Sequence, residues 1–343
     1  MKSIYDLSLL DLEQYLISIN SKPFHAKQIF KWLYVKRINS FDMMSDISKE
    51  LQEQLSKDFY ITTLNIKAHQ ISKDSTEKFL FELSDGSLVE SVLMVFDYGF
   101  SACLSSQVGC NMGCTFCASG LLKKQRDLTS GEIVSQALMI QRRLDESNNR
   151  LGNIVIMGTG EPFDNYDNVM KALSIINSPF GLEIGSRHIS ISTCGVIPGI
   201  NRFSKEQLQY NLAISLHASN DELRSRLMPV NKAYPLADLI DALKEYSELN
   251  NRRLTFEYLL LEGVNDSKQN ALEIKELLNG LNAYINLIPY NKVKENNYET
   301  TSEENALKFY DYLKKYGVAV TLRQKKGDDI DAACGQLRAN NLK

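Results

Sequence analysis

Residues 102–117 read Ala-Cys-Leu-Ser-Ser-Gln-Val-Gly-Cys-Asn-Met-Gly-Cys-Thr-Phe-Cys, a short apolar run that leads into a loop with the spacing Cys-x3-Cys-x2-Cys. The run at 102–105 predicts a strand, because it is short, apolar and followed by turn-forming residues. Three thiols this close together, those of Cys110, Cys114 and Cys117, are suited to bind zinc or an iron–sulfur cluster. The segment therefore predicts a strand with a metal-binding loop at its end.

The choice between the two metals depends on the number of ligands. A closed zinc site needs a fourth ligand, and none of the four histidines of the chain adjoins this loop. Three thiolates on a four-iron cluster instead leave one iron open for a chelating substrate. An iron–sulfur cluster is therefore favoured over zinc, and both are favoured over cysteines that only pack in the core.

Strand-like and helix-like runs alternate after the cysteine loop. Short, mostly apolar segments predict strands at 154–157, 188–192, 211–216, 254–258, 285–288 and 318–322. Amphipathic helices lie between them, and capping boxes at Thr129/Glu132 and Thr301/Glu304 predict where two of these helices begin. The alternation predicts an α/β fold with a parallel sheet, either a barrel or an open doubly wound sheet. In both architectures the chemistry lies at the carboxyl ends of the strands.

The first 90 residues follow a different pattern. Residues 22–37 predict a basic helix and residues 47–57 a second helix. Two antiparallel strands, at 78–82 and 88–95, are predicted around Asp85-Gly86, a strong hairpin signal. We therefore expect an accessory domain with a hairpin at 1–90 and a catalytic core at 91–343.

Composition restricts the class of protein and its location. The chain has 343 residues, 43% hydrophobic and 24% charged, which is ordinary for a globular enzyme. No apolar run approaches the roughly 20 residues of a membrane span, and the acidic start does not resemble a signal peptide, so a cytoplasmic protein is predicted. The net charge of −3 argues against a general nucleic-acid binder, so an RNA substrate would require local basic patches.

The motifs together resemble the radical S-adenosylmethionine (SAM) superfamily. Residues 158–162, Gly-Thr-Gly-Glu-Pro, resemble the loop that contacts the amino group of SAM, and further landmarks follow later strands. The resemblance implies a partial (β/α)6 TIM-like barrel with a small helical N-terminal accessory domain and a β-hairpin extension. It also implies a [4Fe-4S] cluster on Cys110, Cys114 and Cys117. The implied SAM-binding residues are Gly160, Glu161, Ser192, Ser215, Leu216, His217 and Asn291.

The end of the chain resembles a narrower family. Residues 327–337, Gly-Asp-Asp-Ile-Asp-Ala-Ala-Cys-Gly-Gln-Leu, are similar to the C-terminal signature of the RlmN/Cfr RNA methyltransferases, and the likeness spans nearly the whole chain. Residues 160–162 and 328–331 look like the RlmN branch, which methylates C2 of adenine. The Cfr branch, which methylates C8 and confers resistance to ribosome-targeting antibiotics, is the alternative within this class.

The resemblance implies a radical mechanism with a protein-bound methyl group. Cys334 takes a methyl group from one SAM, and a second SAM yields a 5′-deoxyadenosyl radical that removes hydrogen from this methyl group. The resulting carbon radical adds to adenine and forms a covalent RNA adduct. Glu90 resembles the general base that deprotonates the adduct, and Cys103 the thiol that resolves it through a transient disulfide with Cys334. Without the family, Glu90 in an edge strand would be read as solvated surface and Cys103 as core packing.

The implied substrates are adenosine 2503 of 23S rRNA and adenosine 37 of tRNAs, with a flavodoxin-type electron donor and a monomeric enzyme. Lys27, Lys31, Lys36 and Arg37 of the accessory domain are candidates for phosphate contacts, and Cys194 receives no catalytic role. A zinc-stabilised RNA-binding protein without catalytic activity is the alternative from another class.

Overall fold

The N-terminal region is a small helical layer. The computed structural model describes residues 1–293, 295–324 and 326–330. A two-residue parallel pair, β1 (Lys2–Ser3) with β2 (Phe59–Tyr60), closes this layer. Between them lie α1 (Leu9–Ser18), α2 (His25–Phe30) and α3 (Lys49–Asp58). The basic helix predicted across 22–37 is shorter than expected, because α2 gives way to a π-helical turn at Lys31–Val35.

An antiparallel extension follows the helical layer. Its strands are β3 (Asn65–Ile71), β4 (Glu77–Glu82) and β5 (Leu88–Phe96). The hairpin predicted at Asp85-Gly86 is confirmed, since β4 and β5 pair antiparallel around it. Strand β3 was not predicted, and most of its side chains are exposed, so it carries no clear apolar alternation. The boundary expected between residues 90 and 91 falls inside β5, which continues into the core sheet.

The core alternates strands and helices, and a short antiparallel pair of strands, β7 (Gln107–Val108) and β8 (Arg126–Asp127), flanks the cysteine loop. Its elements are β6 (Gly99–Cys103), β7 (Gln107–Val108), β8 (Arg126–Asp127), α4 (Ser130–Asp145), β9 (Leu151–Ile156), α5 (Tyr166–Asn177), β10 (Ile189–Thr193), α6 (Ile197–Glu206), β11 (Asn211–Ser215), α7 (Asp221–Leu227), α8 (Leu236–Asn250), β12 (Leu254–Leu260), α9 (Lys268–Leu277), β13 (Ala283–Pro289), α10 (Glu303–Lys315) and β14 (Val320–Leu322).

One large sheet joins the core to the extension. Its ten strands run in the order β14-β13-β12-β11-β10-β9-β6-β5-β4-β3, and all neighbours from β14 to β6 are parallel. The α/β class and the parallel sheet are therefore confirmed. The parallel part includes β14, so it has one strand more than the six of the expected barrel.

The sheet curls into a partial barrel. In a flat sheet, β14 and β5 would lie roughly 34 Å apart, because seven strand spacings of about 4.8 Å separate them. Arg323, directly after β14, nevertheless brings its Nη2 to 3.8 Å from the Met94 sulfur on β5. Only strong curvature brings these distant strands together. The carboxyl ends of the parallel strands consequently meet around one opening.

Helix starts test the capping predictions directly. Thr129 and Glu132 form the predicted capping box at the start of α4. The box predicted at Thr301/Glu304 is wrong, because Ser302 caps α10 by accepting the Asn305 N–H. The Thr301 hydroxyl is buried and donates to the Asp266 carboxylate at 2.9 Å. This tertiary hydrogen bond replaces the capping hydrogen bond that was predicted at the start of α10.

The N-terminal layer is fixed to the outer surface of the core. Asp6 accepts a hydrogen bond from the Gly131 N–H in the first turn of α4 at 2.7 Å. At the other end of this helix, Arg37 forms a 2.6 Å ion pair with Asp145. Arg37 therefore has a structural partner, whereas Lys27, Lys31 and Lys36 are exposed. No helix among the described residues is both long and apolar enough to span a membrane.

Candidate active site

The cysteine loop is held in place by its backbone. The Cys110 N–H donates to the Leu122 carbonyl at 2.9 Å, and the Thr115 N–H donates to the Leu227 carbonyl at 3.0 Å. Gly109 has a φ of +75°, and a Cβ there would lie 2.2 Å from the Lys123 carbonyl oxygen. A glycine is required at this position, because both the backbone conformation and the close approach exclude a side chain.

All three loop cysteines line one cavity at the carboxyl ends of the parallel strands. It encloses about 860 Å³, part of it open to solvent. Eight of the predicted metal- and SAM-binding residues share its wall: Cys110, Cys114, Cys117, Gly160, Glu161, Ser192, Ser215 and His217. Across the part of the chain that the structure describes, no group of three or more His, Cys, Asp or Glu side chains is gathered to hold a single metal ion. The thiols of Cys110, Cys114 and Cys117 border the cavity and are not drawn together around a single metal ion.

The electrostatics of the cavity test whether an iron–sulfur cluster fits. Burial raises the pKa of Cys110 to about 11, and burial with the neighbouring thiols raises the pKa of Cys114 well above its ordinary value. Thiols in this environment keep their protons at neutral pH unless a cationic centre stabilises the thiolates. Iron supplies that stabilisation, and thiolates are its usual protein ligands in such clusters. The donor set therefore fits the cluster.

The loop after β9 forms the next part of the wall. Gly160 has a φ of +114°, and a Cβ there would lie 2.6 Å from the Ser106 hydroxyl oxygen. The Glu161 carboxylate accepts the Cys194 N–H at 2.8 Å and the Phe163 N–H at 2.9 Å. Burial raises the pKa of Glu161, and these hydrogen bonds oppose the rise. Glu161 therefore joins this loop to the loop after β10, while its side chain still lines the cavity.

Two serines and a histidine occupy the ends of β10 and β11. The hydroxyl oxygens of Ser192 and Ser215 lie 3.4 Å apart. His217 accepts the Leu259 N–H on Nδ1 at 3.0 Å, so the proton of the neutral ring lies on Nε2. Burial lowers the pKa of His217 to about 3, and the ring is consequently uncharged at neutral pH. This wall can donate and accept hydrogen bonds without adding charge.

Two further predicted SAM-binding residues lie outside the cavity lining. The Leu216 side chain is fully buried, and its N–H donates to the Glu257 carbonyl at 3.0 Å. Asn291, just after β13, is 6% exposed, and its Oδ1 accepts no hydrogen bond from any described residue. A buried acceptor without a donor is costly, so Asn291 has capacity for a polar ligand.

Several cavity residues were not predicted from the sequence. Glu257 on β12 is buried, lines the cavity and accepts a hydrogen bond from the Asn286 amide at 2.8 Å. Burial raises its pKa, and Arg323 opposes the rise. A glutamate inside an otherwise apolar strand was the available signal for this residue. Cys194 also lines the cavity, although the sequence assigned it no catalytic role.

A fully buried arginine stands behind the cavity wall. Arg224 donates to the Cys194 carbonyl at 2.6 Å and to the Asn231 amide oxygen at 2.8 Å. Burial lowers its pKa, and the nearby Cys194 and Cys114 thiols oppose this change. Arg224 thus connects the loop after β10 to α7 and adjoining residues.

Glu90 and Cys103 lie on the concave face of the extension. In the sheet register, Val92 pairs with Cys103, and Cys103 pairs with Val155 on β9. Glu90 lies two residues before Val92, so its side chain points to the same face. Glu90 is 4% exposed, with the Lys78 Nζ 3.5 Å from Oε1. The expectation of a solvated residue on an edge strand is therefore wrong, because β5 is flanked by β4 and β6.

Cys103 connects this face to the cavity through an apolar cluster. It packs with Val92 and Met94, and Met157 and Ile330 pack against the three of them. Met157 also lines the cavity. Cys334 lies outside the described residues.

Comparisons with known proteins place the chain in a family. Residues 104–274 match the model of the radical SAM superfamily, and residues 2–61 match the N-terminal domain of ribosomal RNA large subunit methyltransferases of the RlmN type. A probable dual-specificity RNA methyltransferase RlmN from Spiroplasma citri is 52% identical over 341 residues, covering 99% of this chain and 98% of the relative. Its counterpart from Geobacillus kaustophilus is 52% identical, covering 100% and 94%.

A solved structure agrees with these sequence matches. A radical SAM methyltransferase from Sphaerobacter thermophilus superimposes with a TM-score of 0.94 at 41% identity, covering 98% of this chain and 99% of the other. Near-complete coverage includes both the helical layer and the core. The chain therefore belongs to the radical SAM superfamily and, within it, to the RlmN family of dual-specificity RNA methyltransferases.

Proposed function

We propose that this chain methylates C2 of adenosine 2503 in 23S rRNA and of adenosine 37 in tRNAs. Its family membership and the Gly160-Glu161-Pro162 sequence of the RlmN branch support this choice over C8 methylation. The observation that carries the proposal is the common cavity, whose wall includes the three cysteine thiols and the loops after β9, β10 and β11. Glu90 and Cys103 lie on the same concave face of the sheet.

Residues of the cavity have separate binding roles in this proposal. Cys110, Cys114 and Cys117 hold the [4Fe-4S] cluster. Two SAM molecules serve each turnover, bound by Gly160, Glu161, Ser192, Ser215, Leu216, His217 and Asn291. When bound, the cluster and SAM supply a methyl group and the 5′-deoxyadenosyl radical. The neutral His217 and the buried Asn291 oxygen orient polar groups of the ligand without adding charge.

Cys334 carries the methyl group. Adenine C2 is electron-poor, so it does not attack an electrophilic methyl group, whereas a carbon radical adds to it readily. The Cys334 thiolate is nucleophilic enough to accept the methyl group first, forming a sulfur–carbon bond. Loss of one hydrogen atom from this methyl group leaves a methylene radical, whose unpaired electron is on the carbon bonded to the Cys334 sulfur. Its addition to C2 joins the RNA covalently to the protein.

Release of the product requires a base and a second thiol. Glu90 accepts the C2 proton of the adduct, and Lys78, 3.5 Å from its carboxylate, holds the base in position. The unpaired electron that radical addition leaves on the adenine ring returns to the one-electron donor system that supplied it, so the adduct becomes a closed-shell thioether. The Cys103 sulfur then attacks the Cys334 sulfur, which breaks the bond to the methylene carbon and leaves a disulfide. The carbon keeps the electron pair and gains a proton, completing the methyl group. A reductant must later restore both thiols.

Substrate RNA would approach the helical layer and the open rim of the cavity. Loop adenines can be splayed from their stack, as recognition of a single base requires. The exposed Lys27, Lys31 and Lys36 are suited to hold phosphates. Charge reversal at these lysines should weaken RNA binding and flatten its salt dependence, measured by filter binding at several salt concentrations. A cytoplasmic monomer with a flavodoxin-type electron donor completes the proposal.

The decisive experiment combines product analysis with two cysteine variants. Nuclease digestion and mass spectrometry of the modified RNA should yield 2-methyladenosine, and 8-methyladenosine would instead support the Cfr-type alternative. Cys334→Ala should abolish methyl transfer while SAM cleavage remains. Cys103→Ala should trap a covalent RNA–protein adduct on denaturing gels. Zinc without iron in anaerobically purified protein would support the non-catalytic RNA-binding alternative.

A further inference from the structure

The last described residues of the chain cross the concave face of the extension. After β14, the tail contacts β5 twice, through Arg323 at Met94 and through Lys326, whose Nζ lies 5.7 Å from the centre of the Phe96 ring. It then reaches the turn between β3 and β4. The tail therefore crosses the gap between the two ends of the curled sheet.

Three hydrogen bonds fasten the tail to this turn. The Gly327 N–H donates to Asp74 Oδ2 at 3.1 Å. The Asp329 carboxylate accepts the Ser72 hydroxyl on one oxygen and the Lys73 N–H, at 3.3 Å, on the other. The turn contributes one carboxylate, Asp74, and the tail contributes another, Asp329. Hydrogen bonds to charged groups are stronger than those between neutral groups.

The turn also has hydrogen bonds of its own that do not involve the tail. The Ser72 N–H donates to the Thr76 carbonyl at 2.8 Å, and the Ser75 N–H donates to the Ser72 carbonyl at 3.0 Å. Asp74 Oδ1 accepts the Thr76 N–H at 2.9 Å, which fixes the carboxylate that holds Gly327. A receptor that is already ordered loses little conformational entropy when the tail binds.

Beyond these hydrogen bonds, Ile330 packs against the cluster of Val92, Met94 and Cys103. Cys334 follows four residues later (334 − 330 = 4). Four residues of fully extended chain span at most about 14 Å. Anchoring the tail at Ile330 therefore restricts the distance that the Cys334 thiol can move from Cys103.

We propose that Ser72 and Asp74 form a latch that positions the C-terminal tail so that Cys334 works within reach of Cys103. This inference rests on the proposed roles of these two cysteines. Both latch residues are positioning residues, because they act through the tail and not on the reacting atoms. Loss of the latch should make the tail more accessible to a protease and should slow formation of the disulfide between Cys103 and Cys334.

The test compares two isosteric variants with a control from the same turn. Asp74→Asn and Asp329→Asn each replace a carboxylate that accepts a tail or turn N–H, and Asn still supports the turn geometry at position 74. Lys73→Gln removes a charge from the same turn but keeps the backbone N–H that binds Asp329. Its side chain is exposed, so the latch should survive.

The first measurement is tryptic cleavage of the full-length protein after Lys326, followed by mass spectrometry. Loss of one charge-assisted hydrogen bond should speed cleavage about tenfold in both Asn variants and leave Lys73→Gln at the wild-type rate. Equal rates in all four proteins would overturn the latch. A wild-type melting temperature in each variant excludes general unfolding as the cause of faster cleavage.

The second measurement is formation of the Cys103–Cys334 disulfide with glutathione disulfide, which is reduced to two glutathione molecules as the two thiols are oxidised. The Asn variants should form this bond about tenfold more slowly than the wild type. Faster proteolysis with an unchanged disulfide rate would overturn the positioning role. A wild-type protein that forms no such disulfide, while its tail responds to the variants, would contradict the proposed role of Cys103 and support the latch.

Discussion

The parallel half of the sheet and its antiparallel extension contribute to the proposed site in different ways. In the parallel half, Ser192 and Ser215 lie in the last residues of their strands, and Gly160 and His217 lie in the loops that follow, where any parallel sheet exposes its loops. In the extension, Glu90 lies inside β5 and is covered by strands on both sides. Site residues at strand ends can therefore be identified from their position along the chain. A site residue in the middle of a strand cannot, because the register and the curvature of the sheet decide what its side chain faces.

The largest expected effect tests the parallel half alone. Cys114→Ala should reduce the iron content of anaerobically purified protein from about four to near zero and abolish SAM cleavage, because two thiolates cannot hold the cluster. Cys194→Ser is the matched control, since Cys194 lines the same cavity but is not a proposed ligand. It should retain its iron, and loss of iron there would require a different ligand set.

The next prediction tests the extension. Glu90→Gln keeps the shape of the side chain but removes the base, so methylation should fall at least a hundredfold while SAM cleavage continues. A covalent RNA–protein adduct should accumulate and be visible on denaturing gels. Glu82→Gln, in the same hairpin, removes only a partly exposed ion pair with Lys67 and should retain activity. Loss of SAM cleavage in Glu90→Gln would assign Glu90 to the cavity instead.

A smaller effect comes from the backbone of the loop after β9. Gly160→Ala forces a side chain into a conformation with φ of +114° and against the Ser106 hydroxyl oxygen. It should lower the free energy of unfolding by about 3 kcal/mol, measured by chemical denaturation. Gly263→Ala, with φ of +64° and open space around the Cβ, should cost about 1 kcal/mol. Similar costs at both positions would contradict the close packing at Gly160.

The smallest effect is a pH dependence of stability. Burial lowers the pKa of His217 to about 3, so between pH 6.5 and 3 the unfolded chain binds a proton at this residue that the folded chain does not. Its contribution to stability therefore falls as pH decreases, by about 1.4 kcal/mol per pH unit below 6. Comparing wild type with His217→Gln at pH 7 and pH 5 isolates this contribution. Parallel losses in both proteins would show that His217 does not titrate in this way.

The strand-end residues of the core could be predicted because their signals are local. The order of strand and helix patterns placed residues 158–162 after one strand and Ser215 at the end of another, and the folded chain brings both to one cavity. The seventh parallel strand was also visible in the sequence at 318–322, although the resemblance implied six. Glu257 was not identified, because a single glutamate in a strand does not reveal which face it occupies.

The extension could be predicted only in outline. The Asp85-Gly86 turn indicated the hairpin, but the exposed β3 gave no alternation to recognise. The capping error at Thr301 has the same origin as the wrong reading of Glu90 as solvated surface on an edge strand, which the residues alone favoured. In both cases a partner distant in the chain decided the environment, Asp266 for the hydroxyl and the strands flanking β5 for the carboxylate.

By itself, the sequence determined the cysteine loop, the α/β alternation and the family resemblance, because spacing and periodicity are properties of neighbouring residues. Only the tertiary structure decided that Glu90 and Cys103 share the concave face, and that Asp329 meets Ser72 across 257 positions of sequence. The curl of the sheet brings these groups together. That curl accumulates from the twist of every strand and from the packing of the helices outside it, so no single segment encodes it.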